Sequence, residues 1–146
     1  MKNHKTIAIC SGYFNPLHKG HVDYLNNAKK LCDELIVIIN SDAQVEIKGS
    51  NPFMDQEERK YIVSALGCVD KTIISKDTDG SVCDTLLHIF NSIEADCVIF
   101  ANGGDRKSGN IPEYELCKQL DIKMAFNVGG EKTQSSSTLI SKSYSN

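Results

Sequence analysis

Thr6-Ile7-Ala8-Ile9-Cys10 runs directly into Ser11-Gly12-Tyr13-Phe14-Asn15-Pro16-Leu17-His18-Lys19-Gly20-His21. The first five residues are apolar or β-branched with no polar alternation, the pattern of a strand buried on both faces. Beyond the loop, Val22, Leu25, Ala28 and Cys32 share one helical stripe. A buried strand, a loop and an amphipathic helix in that order open a strand–helix–strand unit, and the rest of the chain repeats the unit.

Residues 35–39 give a second continuous apolar run, and residues 72–74, 97–100 and 124–126 give shorter versions of it. A helix is predicted from about residue 55 to 66, with Asp55 and Glu58 at capping-box spacing and Ile62, Val63 and Leu66 on its buried side. Val82, Leu86, Ile89, Phe90 and Ile93 mark a further helix, and Pro112 suits the first turn of a shorter one. One more helix is expected in the serine run after Gly130. The pattern predicts an α/β fold: a doubly wound, five-stranded parallel sheet with helices on both faces, in one domain spanning residues 1–146. Ligands of such sheets bind beyond the carboxyl ends of the strands, so the stretches 11–20, 40–54, 102–111 and 127–137 are where a site belongs.

The composition narrows the function classes. The chain has 146 residues, 40% hydrophobic and 24% charged, which fits a globular domain and neither a disordered nor a membrane-spanning chain. Sixteen basic against nineteen acidic residues give a net charge of −3, without the clustered basic field that nucleic acid requires. The longest wholly apolar run, residues 35–39, is far short of the roughly 20 residues of a membrane span. The polar start, Met1 to Lys5, does not read as a signal peptide. Cys10, Cys32, Cys68, Cys83, Cys97 and Cys117 are scattered with no C-x-x-C pair, as core thiols of a reducing compartment are, and a cytoplasmic location is expected.

His18 and His21 fall where the first helix starts, at unpaired N–H groups and the positive end of the helix dipole. Three residues apart, they share a face and can both donate to one phosphate, while Gly20 lets the backbone approach closely. With four histidines and ten glycines in the chain, an H-x-G-H arises by chance on the order of one time in a hundred.

The stretch Gly12-Tyr13-Phe14-Asn15-Pro16-Leu17-His18-Lys19-Gly20-His21 resembles the G-T-F-D-x-x-H-x-G-H signature of the cytidylyltransferase-like nucleotidyltransferases. Glu46-Ile47-Lys48-Gly49 and Glu57-Glu58-Arg59-Lys60 resemble small glycerol-3-phosphate cytidylyltransferases, and Lys132-Thr133-Gln134-Ser135-Ser136-Ser137-Thr138 is similar to their R-T-x-G-I-S-T-T motif. Asn40-Ser41-Asp42 and Gly103-Gly104-Asp105 look more like the adenylyltransferase domain that acts on heptose 1-phosphate.

The resemblance implies a Rossmann-like fold and a reaction in which a phosphorylated small molecule attacks the α-phosphorus of a nucleoside triphosphate and releases pyrophosphate. Catalytic roles fall to His18, His21, Lys48, Ser137 and Thr138. Nucleotide contacts fall to Gly12, Tyr13, Phe14, Asn15, Gly20, Arg59, Gly104, Asp105 and Lys132, and Arg106 is a candidate for the incoming substrate. Lys48 and Arg59 are expected as phosphate cations. Magnesium is implied as the cofactor, arriving with the triphosphate, because no dense carboxylate cluster announces a protein-built metal site. CTP is the expected nucleotide, with ATP the alternative and a non-catalytic nucleotide-binding module a third reading. A homodimer joined near residues 59–66 is implied by analogy with small transferases of this kind. Tyr13 and Asn15 stand where the family has threonine and aspartate, and Lys132 where it often has arginine, which bears on the substrate more than on the reaction.

Overall fold

The computed structural model describes residues 5–103 and 111–128. Its elements run β1 (Thr6–Gly12), α1 (Lys19–Lys29), β2 (Glu34–Ile39), α2 (Asp42–Ile47), α3 (Gln56–Ser64), β3 (Lys71–Ile74), α4 (Cys83–Ser92), β4 (Cys97–Ala101), α5 (Tyr114–Leu120) and β5 (Lys123–Ala125). The five strands form one sheet in the order β3-β2-β1-β4-β5. Every pairing is parallel, with Ile9 of β1 opposite Ile36 of β2 and Phe100 of β4.

The continuous apolar runs follow from burial on both faces. Ile7 and Ile9 of β1, with Ile36 and Ile38 of β2, enter one core with Val82, Leu86 and Ile89 of the α4 region and Cys117 of α5. Ala8 and Cys10, with Leu35, Val37 and Ile39, face the other way and meet Leu25 and Ala28 of α1 and Val63 of α3. Successive residues of a strand point to opposite faces, so a strand covered on both sides has no place for a polar residue. The doubly wound α/β sheet expected from the sequence is the fold observed.

One detail departs from expectation. Residues 42–47 form a short helix inside a stretch read as loop. Only Val45 and Ile47 signal an apolar side, and the helix depends on its cap: Ser41 accepts from the Gln44 N–H while the Gln44 side chain accepts from Ser41 N–H. Asp55 caps α3 by accepting from Glu58 N–H at 2.8 Å. α4 has no cap of its own; Asp77, from the preceding loop, accepts from the amides of Asp84 and Thr85. The helix expected after Gly130 lies outside the described residues.

The strand order reverses at β1, whose neighbours are β2 and β4. The loop after β1, which ends at His18 with His21 in the first turn of α1, therefore opens at the topological switch point of the sheet.

Candidate active site

His18 is the N-cap residue of α1, extended at φ −141° and ψ 179°. Its Nδ1 accepts from Gly20 N–H at 3.1 Å, while its own backbone N–H donates to His21 Nδ1, also at 3.1 Å. The two imidazoles thus fill the roles that a serine and a glutamate fill in an ordinary capping box. Their rings stack with centroids 3.8 Å apart at 28°. Each Nδ1 is occupied as an acceptor, so the bonding assigns the ring proton of each neutral imidazole to Nε2. Each ring therefore has one nitrogen, Nε2, with which to donate to a phosphate.

The acidity of His21 agrees. Burial, then the neighbouring His18, then the Lys48 ammonium lower its pKa to about 4, so the ring is neutral near pH 7. Phe14, itself buried, sets its edge against that ring at 5.1 Å and 73°. Phe14 takes a positive φ of 50°, and its ring lies so close to Gly12 that a Cβ there would stand 2.7 Å from Phe14 Cζ. Gly20 has a similar use: a Cβ on it would lie 3.0 Å from His18 Cε1, pressing on the ring that folds back to cap the helix. Both glycines serve to seat aromatic rings, more specifically than the close backbone approach expected of Gly20.

The histidines line a cavity of about 250 Å³ with Tyr13, Asn15, Lys48 and Ser50. Lys48, the residue closing α2, places its ammonium 4.2 Å from the centre of the Tyr13 ring. Asn15 faces residues 51–54, its Oδ1 accepting from Phe53 N–H at 2.6 Å and its Nδ2 donating to Asn51 carbonyl at 3.0 Å. An aspartate could accept there but not donate, so the asparagine in place of the family's aspartate has a local use as a two-way clamp.

Arg59 requires a correction. Expected as a phosphate cation, it is 0% exposed. Its Nε donates to Met54 carbonyl at 2.9 Å, Nη1 to the carbonyls of Tyr13 and Asn40, both at 2.7 Å, and Nη2 to Asp42 Oδ1 at 2.6 Å. Its donors are turned inward, joining the loops after β1 and β2 and the segment before α3. Arg59 is a brace of the cavity wall and presents no charge to it. The sequence misses its partner Asp42 and the buried Gln44, whose amide donates to the carbonyls of Asp79 and Ser81 at 2.7 Å each. The one signal for Gln44 was the Ser41-x-x-Gln44 spacing.

Gly12, Tyr13, Phe14, Asn15, His18, Gly20, His21 and Lys48 are thus gathered around one loop and the cavity beside it, while Gly104, Asp105, Arg106, Lys132, Ser137 and Thr138 lie outside the described residues. Among the described residues, no three histidine, cysteine or acidic side chains are grouped to hold a metal ion, and no helix is long and apolar enough to cross a membrane.

The chain is similar to known proteins in sequence and in fold. The chain is 37% identical over 103 residues to the bifunctional protein HldE of Syntrophotalea carbinolica, covering 69% of this chain and 19% of that protein. It is 33% identical over 129 residues to the HldE of Helicobacter pylori strain G27, covering 87% of this chain and 26% of the relative. The chain therefore spans about a quarter or less of the length of these relatives. Among solved structures, a lipopolysaccharide core biosynthesis protein from Thermoplasma volcanium superposes with a TM-score of 0.67 at 26% identity, covering 84% of this chain and 95% of that one. A bifunctional NMN adenylyltransferase/ADP ribose pyrophosphatase from Francisella tularensis, at 18% identity and a TM-score of 0.56, shares the fold. The cytidylyltransferase-like family model matches residues 9–140, and with the H-x-G-H pair seated at the switch point of a parallel sheet, the chain belongs to that family of nucleotidyltransferases.

Proposed function

We propose that this protein is an adenylyltransferase that joins a sugar phosphate of the heptose 1-phosphate class to the AMP portion of ATP and releases pyrophosphate. The observation that carries the transferase reading is the His18–His21 pair, with both Nδ1 atoms bonded to backbone N–H groups and, among the described residues, no partner taking either Nε2–H donor. The preference for ATP over the CTP expected from the motifs is supported by the Asn40-Ser41-Asp42 and Gly103-Gly104-Asp105 resemblance, together with the HldE relatives. The sugar phosphate is supported by the lipopolysaccharide core biosynthesis neighbour.

The chemistry asks little of a base. The attacking phosphate has a second pKa of about 6 and is largely dianionic at pH 7, so its oxygen attacks the α-phosphorus without giving up a proton to a side chain. A P–O bond to the α-phosphorus forms as the bond to the pyrophosphate oxygen breaks, and charge shifts toward the leaving oxygens. Fixed neutral N–H donors on the α-phosphate oxygens stabilise that arrangement with no reorganisation, and the rigid stacked rings hold the phosphorus in place for in-line attack. Lys48 supplies a cation at the cavity for the phosphate chain. Ser137, Thr138 and Lys132, with Arg106 for the sugar phosphate, complete the proposal from outside the described residues. Magnesium would come with the triphosphate, whose oxygens are its ordinary ligands; the described residues offer it no grouped donors.

The test is pyrophosphate release across the four nucleoside triphosphates, each with a panel of sugar 1-phosphates and phosphorylated alcohols. ATP with a heptose 1-phosphate is expected to turn over fastest. Faster turnover of CTP with an alcohol phosphate would overturn the choice of nucleotide and acceptor, and absence of release with every pair would overturn the transferase reading.

A further inference from the structure

Tyr13 is the departure from the family signature that stands closest to a charge the reaction needs. The Lys48 ammonium lies 4.2 Å from the centre of its ring, within cation–π range, and both residues line the cavity beside His18 and His21. The backbone that carries the ring is anchored, because the carbonyl of Tyr13 accepts from the buried Arg59 guanidinium at 2.7 Å. Lys48 by contrast is an exposed side chain at the end of a six-residue helix, followed by Gly49 at φ 93°. Left to solvent, a lysine stem samples many rotamers, and ordering it on a phosphate costs entropy.

We propose that Tyr13 is a positioning residue that acts through Lys48, its aromatic face holding the ammonium at the cavity so that the phosphate chain meets a cation already in place. This inference rests on the transferase reading for the identity of the physiological ligand, and on geometry alone for the pair. The ring does not compete with the ligand for Lys48. An ammonium over an aromatic face still has N–H groups pointing elsewhere, and charge-assisted bonds to phosphate are stronger than an exposed cation–π contact. The threonine usual at this position has no such face, so the pair is a feature of this chain.

Inorganic tripolyphosphate is a probe that reports on the phosphate site without depending on the base or on turnover. Its Kd is to be measured by titration calorimetry for the wild type, Tyr13→Phe, Tyr13→Leu, Lys48→Met and the double variant Tyr13→Leu/Lys48→Met, each checked for an unchanged melting transition. Tyr13→Leu, which keeps bulk and loses the face, is expected to weaken binding about two- to fivefold, the size of an exposed cation–π contact. Tyr13→Phe should stay within twofold of the wild type. In the Lys48→Met background, the Tyr13→Leu change should have no further effect, because the two residues act as one unit. Equal affinity of the Leu and Phe variants, tighter binding by Tyr13→Leu, additive losses in the double variant, or no tripolyphosphate binding by the wild type would each overturn the proposal. Pyrophosphate release by the wild type is measured alongside and judges the transferase reading separately.

Discussion

Each imidazole of the pair gives one nitrogen to the helix and keeps one for a ligand, so chemistry and local folding meet in the same two side chains. His18→Ala removes the cap of α1 together with a donor, and His21→Ala removes the reciprocal acceptor together with a donor. Loss of one charge-stabilising donor typically lowers kcat by about 10²–10³, and either substitution is expected to do so in steady-state pyrophosphate release. The loss of the N-cap in His18→Ala adds a stability cost of about 1 kcal/mol that unfolding in urea would show. The pKa of His21 makes a second prediction with a definite sign. Its folded value, about 4, lies below the ordinary 6.5, so between those values the unfolded chain binds a proton that the folded chain does not. Its contribution is fully present above about pH 6.5 and is lost progressively as the pH falls through 4. Melting temperature should therefore fall across that window in the wild type and fall less steeply in His21→Ala; parallel profiles would contradict the assignment of the neutral ring.

At the level of elements, the sheet is more legible in the sequence than the loops that make the site. β1 and β2 declare themselves because strands buried on both faces leave no polar position, whereas β3 and β5 at the sheet edges are only four and three residues long and give a weak signal. α2 is hidden because a six-residue helix holds less than two full turns of periodicity. The H-x-G-H is legible because its chemistry is local, two rings on one helix start. Arg59 is not, since a charged run such as Glu57-Glu58-Arg59-Lys60 looks the same whether its arginine faces solvent or three carbonyls across the fold. Its buried role has a measurable consequence. Arg59→Leu would leave the carbonyls of Tyr13, Asn40 and Met54 and the Asp42 carboxylate without this donor set, a loss of about 3 kcal/mol or more. Chemical denaturation is expected to show a destabilisation of that order, and Arg59→Lys would recover little because a point charge cannot reach all four acceptors. A stable Arg59→Leu protein with weakened nucleotide binding would return Arg59 to the role of a phosphate cation.

Over the whole molecule, the switch point of the sheet and the cavity coincide: the loop after β1 ends at His18 with His21 in the first turn of α1, and the loop after β2 leads to α2 and Lys48. The homodimer implied by the family resemblance is a proposal at this scale. Within the α3 region Arg59 and Val63 are inward, while Tyr61 is 78% exposed and Phe53, just before it, is 75% exposed. These aromatic surfaces are what a second copy would cover, and sedimentation at micromolar concentration should give twice the mass of one chain; a monomer would remove this proposal and leave the chemistry untouched. The central claim, that His18 and His21 present neutral Nε2–H donors to the α-phosphate during nucleotidyl transfer, is tested most directly by single-turnover pyrophosphate release at pH 7.5, with ATP and a heptose 1-phosphate, in the wild type and His21→Ala. ATP-dependent release by the wild type is expected, with a rate about 10²–10³ lower in the folded variant. An undiminished rate in folded His21→Ala, or no release by the wild type with any nucleoside triphosphate, would contradict it.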